Sequence, residues 1–151
     1  RNRRPPKDAV NAMLSFVYTL ISNDVTAALE TVGLDPYVGF MHALRPGRPS
    51  LALDIMEELR AYLGDRLVLS LINRKQITGN QFLQQGDESI IMTDDARRTI
   101  ISAWQARKKE QIQHPFLNEK VSIGLLPHIQ AMMLARYLRN DLDDYPVFLI
   151  Q

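Results

Sequence analysis

Residues 9–32 read Ala-Val-Asn-Ala-Met-Leu-Ser-Phe-Val-Tyr-Thr-Leu-Ile-Ser-Asn-Asp-Val-Thr-Ala-Ala-Leu-Glu-Thr-Val, a run without Gly or Pro. Strong helix formers dominate it, so the run predicts one long helix, with Ser22-Asn23-Asp24 the place for any bend. Its first half is apolar on nearly every face, which predicts a central, buried helix. Asp8, after the extended Pro5-Pro6-Lys7, supplies an N-cap, and Gly33 a left-handed stop.

Working outward, Leu34 to Pro49 is punctuated at Pro36, Gly39 and Pro46-Gly47 and reads as a loop, with a short turn at Pro36-Tyr37-Val38. A second helix opens at Pro49-Ser50. Ala52, Ile55, Met56, Leu59, Tyr62 and Leu63 then fall on one arc at about 100° per residue. Gly64-Asp65 marks a kink or break before a further apolar helical run, Arg66 to Arg74. Helical periodicity lapses over residues 75–93. There Gln-Ile-Thr, Gln-Phe-Leu and Ser-Ile-Ile-Met, separated by Gly79-Asn80 and Gly86-Asp87, read as short hairpin strands. Asp94 or Asp95 caps a long helix to about Gln113, and a last helix runs from about Leu125 to Asn140 before the acidic stretch Asp141-Leu142-Asp143-Asp144. The fold class is therefore mainly α: a single helical domain over residues 1–151, of about five to seven helices, with a small β-hairpin excursion near 75–93.

Composition narrows the chemistry. The 151 residues carry 18 Lys+Arg against 17 Asp+Glu and no Cys, which excludes a disulfide framework, a zinc ribbon and a thiol nucleophile. A net charge of +1 gives no electrostatic argument for nucleic acid by itself. The most apolar stretch, Ala12 to Ile21, is shorter than the ~20 residues of a membrane span, so no membrane partner is expected and the compartment read is the cytoplasm. The chain opens on Arg-Asn-Arg-Arg-Pro-Pro without an initiator Met, and reads as a fragment of a longer protein.

Three histidines are available: His42, His114 and His128. His114 precedes Pro115 at a helix end, where contact with the helix dipole is the expected role, and His128 is expected partly buried. His42 lies in a Gly/Pro-rich loop, fifteen residues before Glu57. Asp54, Glu57 and Glu58 share an arc of about 100° opposite the apolar one. A loop imidazole folded back on these carboxylates is a donor set for Mn²⁺ or Mg²⁺, able to polarise a phosphoryl oxygen. The plainer reading, a solvated acidic face and a structural histidine, stands beside it. Arg45 and Arg48 share the loop with His42, and Arg3 and Arg4 flank the first helix; they are candidates for phosphate contacts or for ordinary solubility. Asn11 and Tyr18, seven residues apart on one face of the first helix, either satisfy hydrogen bonds in the fold or line whatever covers His42.

Three ordered segments carry a resemblance: Arg-Arg-Pro-Pro-Lys-Asp-Ala-Val-Asn-Ala-Met-Leu-Ser-Phe-Val-Tyr from Arg3, Gly-Leu-Asp-Pro-Tyr-Val-Gly-Phe-Met-His over 33–42, and Gly-Arg-Pro-Ser-Leu-Ala-Leu-Asp-Ile-Met-Glu-Glu-Leu-Arg over 47–60. Together with Phe116-Leu-Asn-Glu-Lys, the chain resembles the CRISPR-associated endonuclease/integrase family of spacer acquisition, the "Cas one" proteins, most like the type I-C branch. The resemblance implies a helical C-terminal catalytic domain lacking the β-rich N-terminal dimerisation domain. It implies a divalent-metal centre, Mg²⁺ or Mn²⁺, with His42 and Glu57 as ligands and Asp54 as a supporting acid. A further Glu ligand of the family lies upstream of this sequence. Arg45, Arg48, Arg3, Arg4, Asn11 and Tyr18 are then expected to contact DNA. The implied activity is metal-dependent cutting and joining of double-stranded DNA, prespacer and CRISPR repeat. The implied partners are a second copy and the small ferredoxin-like "Cas two" protein. This chain alone is expected to be weak or inactive. A catalytically silent helical module holding DNA or protein is the alternative.

Overall fold

The computed structural model describes residues 8–39, 47–86 and 88–150. Helix α1 (Ala9–Thr31) runs unbroken through Ser22-Asn23-Asp24. The Asp8 carboxylate accepts from the Asn11 backbone N–H at 2.9 Å, as the sequence predicts, and Gly33 takes φ +83° past the helix end. Met13, Val17, Ile21, Val25 and Leu29 recur at spacings of four and are buried. They make α1 the axis of the core, touching α2 (Ser50–Leu59), α5 (Leu126–Leu138) and the strand Ile90–Met92. By length and composition α1 is apolar enough to cross a bilayer, longer than the Ala12–Ile21 stretch that the sequence reading stopped at. Its apolar side chains instead supply the core of the domain.

Gly64-Asp65 is not a break. Helix α2 passes through a π-helical turn, Arg60–Asp65, directly into α3 (Arg66–Asn73). Of the predicted arc, Ala52, Ile55, Met56, Leu59 and Leu63 are buried and Tyr62 half-buried.

The excursion at 75–93 is one hairpin, β1 (Phe82–Gln84) against β2 (Ile90–Met92), antiparallel with Phe82 opposite Met92. Gln76-Ile77-Thr78 is not a strand; Ile77 is buried, and Thr78 caps a single 3₁₀ turn. Helix α4 (Asp94–Lys109) is capped by Thr93, whose hydroxyl accepts from the Ala96 N–H at 3.2 Å. Asp94 and Asp95 sit in its first turn, where carboxylates favour the positive end of the helix dipole. The helix stops at Lys109, four residues short of the predicted end. A second hairpin follows, β3 (Gln111–Gln113) with β4 (Lys120–Ser122). Three-residue strands give no alternation long enough to read, and this hairpin escapes sequence analysis for that reason. After α5 the acidic stretch leads into an extended segment that folds back, burying Phe148 against the core.

Candidate functional site

The first turn of α2 has no side-chain cap. Two of its amides, Leu51 N–H and Ala52 N–H, donate instead to the Pro36 carbonyl at 2.9 and 3.2 Å. Unsatisfied helix-end amides are thus met by the preceding loop, which ties it to the helix. Gly39 presses on the same turn. A Cβ there would stand 2.7 Å from Ser50 and 2.8 Å from Asp54 Oδ2, so only glycine permits this approach.

The three acids of α2 do not share a solvated arc. Asp54 is 2% exposed, under Gly39. Glu58 turns toward α5 and the C-terminal segment. One oxygen of its carboxylate accepts from Gln130 Nε2 and Tyr145 OH, both at 2.9 Å, and from Phe148 N–H at 3.1 Å. Burial pushes the Glu58 carboxyl above the usual carboxylate range, although these donors pull it down. Glu57 and Glu58 are both half-buried, but Glu57, its side chain 31% exposed, is only loosely paired with Arg60 at 3.3 Å and lacks the three donors that engage Glu58. The expectation of one acidic face fails because α2 is covered on two sides, by α1 and by α5.

The Arg60 guanidinium also lies 5.6 Å from the Tyr18 ring centroid, and the Tyr18 hydroxyl donates to the Asp65 carboxylate. Burial, then the hydrogen bond and charge of Asp65, push the Tyr18 phenol up to about 12. The π turn explains why Arg60 and Asp65 both meet Tyr18. A π turn closes from i to i+5 and stacks residues five apart, which an α-helix would set ~140° apart. This grouping of Arg60 and Asp65 about Tyr18 is not legible from periodicity, although Gly64-Asp65 marks the place as a kink.

Asn11 Nδ2 donates to Asp8 at 2.6 Å, within the cap. Asn11 and Tyr18 are thus both engaged in hydrogen bonds of the fold. Arg48 is half-buried, and its carbonyl accepts from Ser50 N–H at 2.8 Å just before α2. His42, Arg45, Arg3 and Arg4 lie outside the described residues. Among the described residues no three His, Cys, Asp or Glu side chains gather as a metal site.

His114 does not serve a helix end. It is 1% exposed, its Nδ1 accepts from Phe116 N–H and Leu117 N–H at 3.2 and 3.1 Å, and Nε2 stands 3.0 Å from Gln130 Oε1. Two donors on Nδ1 assign the proton to Nε2, a neutral imidazole donating to Gln130. His128 is half-buried, as expected.

Residues 1–106 match the family model described as CRISPR associated protein Cas1. The chain belongs to the Cas1 family. It is 60% identical over 148 residues to a CRISPR-associated endonuclease Cas1 of Chlorobaculum tepidum, covering 98% of this chain and 43% of that protein. Among solved structures, a Cas1 protein from Thermotoga maritima superposes with a TM-score of 0.83 at 30% identity, over 92% of this chain and 42% of that one. A Cas6-RT-Cas1–Cas2 complex contains a chain matching at TM-score 0.81 and 29% identity, over 98% of this chain and 16% of its own. The Cas1 chain described here thus spans less than half the length of the curated relative it matches.

Proposed function

We propose that this chain is the helical catalytic domain of a divalent-metal-dependent DNA endonuclease/integrase that inserts new spacers into a CRISPR array. The observation that carries the reading is the divergence of the three α2 acids. Asp54 is buried and Glu58 is held by three donors, which leaves Glu57 as the acid with only a loose partner, on the helix to which the preceding loop is tied at Pro36 and Gly39. His42, the other ligand of this reading, follows Gly39 by three residues in the sequence.

The donor chemistry fits Mg²⁺ or Mn²⁺: one imidazole and one carboxylate held by a loose surface pair. His42 and Glu57 would hold the ion, which supplies charge stabilisation at the phosphate under attack by a DNA 3′-hydroxyl. Two ligands leave room for a further acid from outside this sequence, so the chain alone binds metal weakly and acts poorly. Asp54, buried one turn before Glu57, supports the helix from behind. Arg45, Arg48, Arg3 and Arg4 are placed by this reading against DNA phosphates, with Asn11 and Tyr18 on the α1 wall.

Double-stranded DNA, a second copy of the protein and a Cas2 protein are the partners proposed, in the cytoplasm. The Cas1–Cas2 assembly named in the matching complex supports the last. The test is strand transfer into a repeat-bearing duplex, in a protein of the relatives' full length carrying this domain. Transfer that needs Mg²⁺ or Mn²⁺ and stops on chelation is the expected result. DNA binding without cutting or joining, whatever metal is supplied, favours a silent binding module and overturns the proposal.

A further inference from the structure

After α5 the chain returns over the core as a strap held by side chains alone. Among the described residues, positions 145–150 make no hydrogen bond between backbone groups. The Glu58 carboxylate instead accepts from Tyr145 OH and Phe148 N–H, and Gln130 Nε2 donates to the Pro146 carbonyl. Val147 and Leu149 are exposed, whereas Phe148 between them is buried, the alternation of an extended chain lying on a surface.

Phe148 heads a continuous stack of side chains. Its ring centroid stands 5.8 Å from that of His114 and 5.8 Å from that of Tyr62, with tilts of 57° and 58°, within the range of favourable aromatic pairs. The Tyr62 ring, in the π turn, carries two guanidiniums, Arg66 of α3 at 4.7 Å and Arg107 of α4 at 5.1 Å from its centroid. Like charges repel, while the negative face of an aromatic ring draws each of them in, so Tyr62 gathers two cations that would otherwise part. Among the described residues no carboxylate pairs with Arg66, and the Tyr62 hydroxyl makes no hydrogen bond. The ring is therefore what seats Arg66. Arg107 is also paired with Glu110 at 2.5 Å, yet its Nε is buried without an acceptor, a donor kept in place by packing.

We infer that the C-terminal strap is a positioning element: Phe148 props the Tyr62 ring, and that ring sets the Arg66 and Arg107 side chains beside the space of about 400 Å³ that they line between α3 and α4. Tyr62 and Phe148 are positioning residues, acting through the two arginines. Fastening at one carboxylate and one amide, without a backbone ladder, lets the strap open locally while the helices stay folded. Docked, the strap fixes the arginine pair; lifted, it frees both side chains to solvent. The C-terminal segment and the cationic face of α3 and α4 are coupled in this way through a single ring. That the arginines meet DNA phosphates rests on the proposed function; the positioning itself does not.

The test reads the arginine Nε–H signals in a proton–nitrogen correlation spectrum of the chain, with Arg66→Lys and Arg107→Lys assigning the two resonances. Phe148→Leu, which keeps the site apolar but removes the ring, is expected to shift or broaden both signals and to leave that of Arg139, just past α5, in place. Tyr62→Leu tests the same link from its other end and should act alike, while Tyr62→Phe, which keeps the ring, restores both positions. Val147→Ala, on the exposed side of the strap, moves neither. A lowered urea midpoint in Phe148→Leu with both signals unmoved means that Phe148 only fills the core, and overturns the proposal; so does displacement by Tyr62→Phe equal to that by Tyr62→Leu. Should Phe148→Leu fail to fold, Phe148→Met and Tyr62→Leu carry the same comparison. Anisotropy of a labelled oligothymidylate under chelator reads the consequence. Phe148→Leu is expected to weaken binding on the order of 5-fold at low salt and to flatten log K against log salt by up to about 0.7 per arginine freed. Displaced signals with unchanged binding uphold the strap and locate the failure in the proposed function, whereas unmoved signals overturn the strap whatever the binding.

Discussion

Gln130 Nε2 donates to the Glu58 carboxylate at 2.9 Å, joining α5 to α2 across 72 residues of sequence. The same amide reaches Tyr145 OH at 3.0 Å and the Pro146 carbonyl at 3.1 Å, while its oxygen receives His114. A fully buried side chain thus satisfies every group it has, and the C-terminal segment is fastened to the helix that carries Glu57.

From this fastening, Gln130→Ala is expected to destabilise the fold by about 2–4 kcal/mol, since it leaves the buried His114 Nε2 without its partner, removes one of three donors to the Glu58 carboxylate and opens a cavity. Urea denaturation measures it. Glu58→Gln, which keeps the shape and the acceptor oxygen, should cost less than Gln130→Ala; the reverse order would contradict the assigned network.

Two partly buried phenols give a pH signature. Tyr18 is held up to about 12, and Tyr145 is raised further by burial and by the Glu58 charge. A raised phenol stabilises the native state fully below its ordinary value near 10, and that contribution is lost as pH rises through the native value. Tyrosinate absorbance should therefore show no contribution from either residue in the folded protein below about pH 11. Tyr18→Phe and Tyr145→Phe should leave that part of the native titration unchanged; a missing phenol titrating near 10 would contradict the geometry.

At Gly39 the contact with Ser50 leaves no space for a methyl group. Gly39→Ala is predicted to cost about 1–3 kcal/mol by overpacking, seen as a lowered denaturation midpoint. A neutral or stabilising effect would mean that the loop does not rest on α2.

The helical frame was legible because its signals are long. Residues 9–32 and the Ala52–Leu63 arc each run several turns, and both helices formed where periodicity put them. Capping detail was less legible: Thr93 competes with Asp94 and Asp95, and only the backbone direction decides. The hairpin at 111–122 and the π turn at 60–65 left no periodic trace, one being too short and the other a local change of helix pitch. At the site, spacing grouped Asp54, Glu57 and Glu58 correctly on one arc but could not say what covers that arc. Tertiary packing buried Asp54 and engaged Glu58 with three donors.

The central claim is that Glu57, and not its neighbour Glu58, serves the metal centre. Metal-dependent strand transfer by Glu57→Ala and Glu58→Gln, each in the full-length setting, tests it most directly. Glu57→Ala is predicted to lose at least about 100-fold in rate, the scale of losing a group that stabilises transition-state charge, while Glu58→Gln keeps most of the activity. Undiminished transfer by Glu57→Ala would contradict the account.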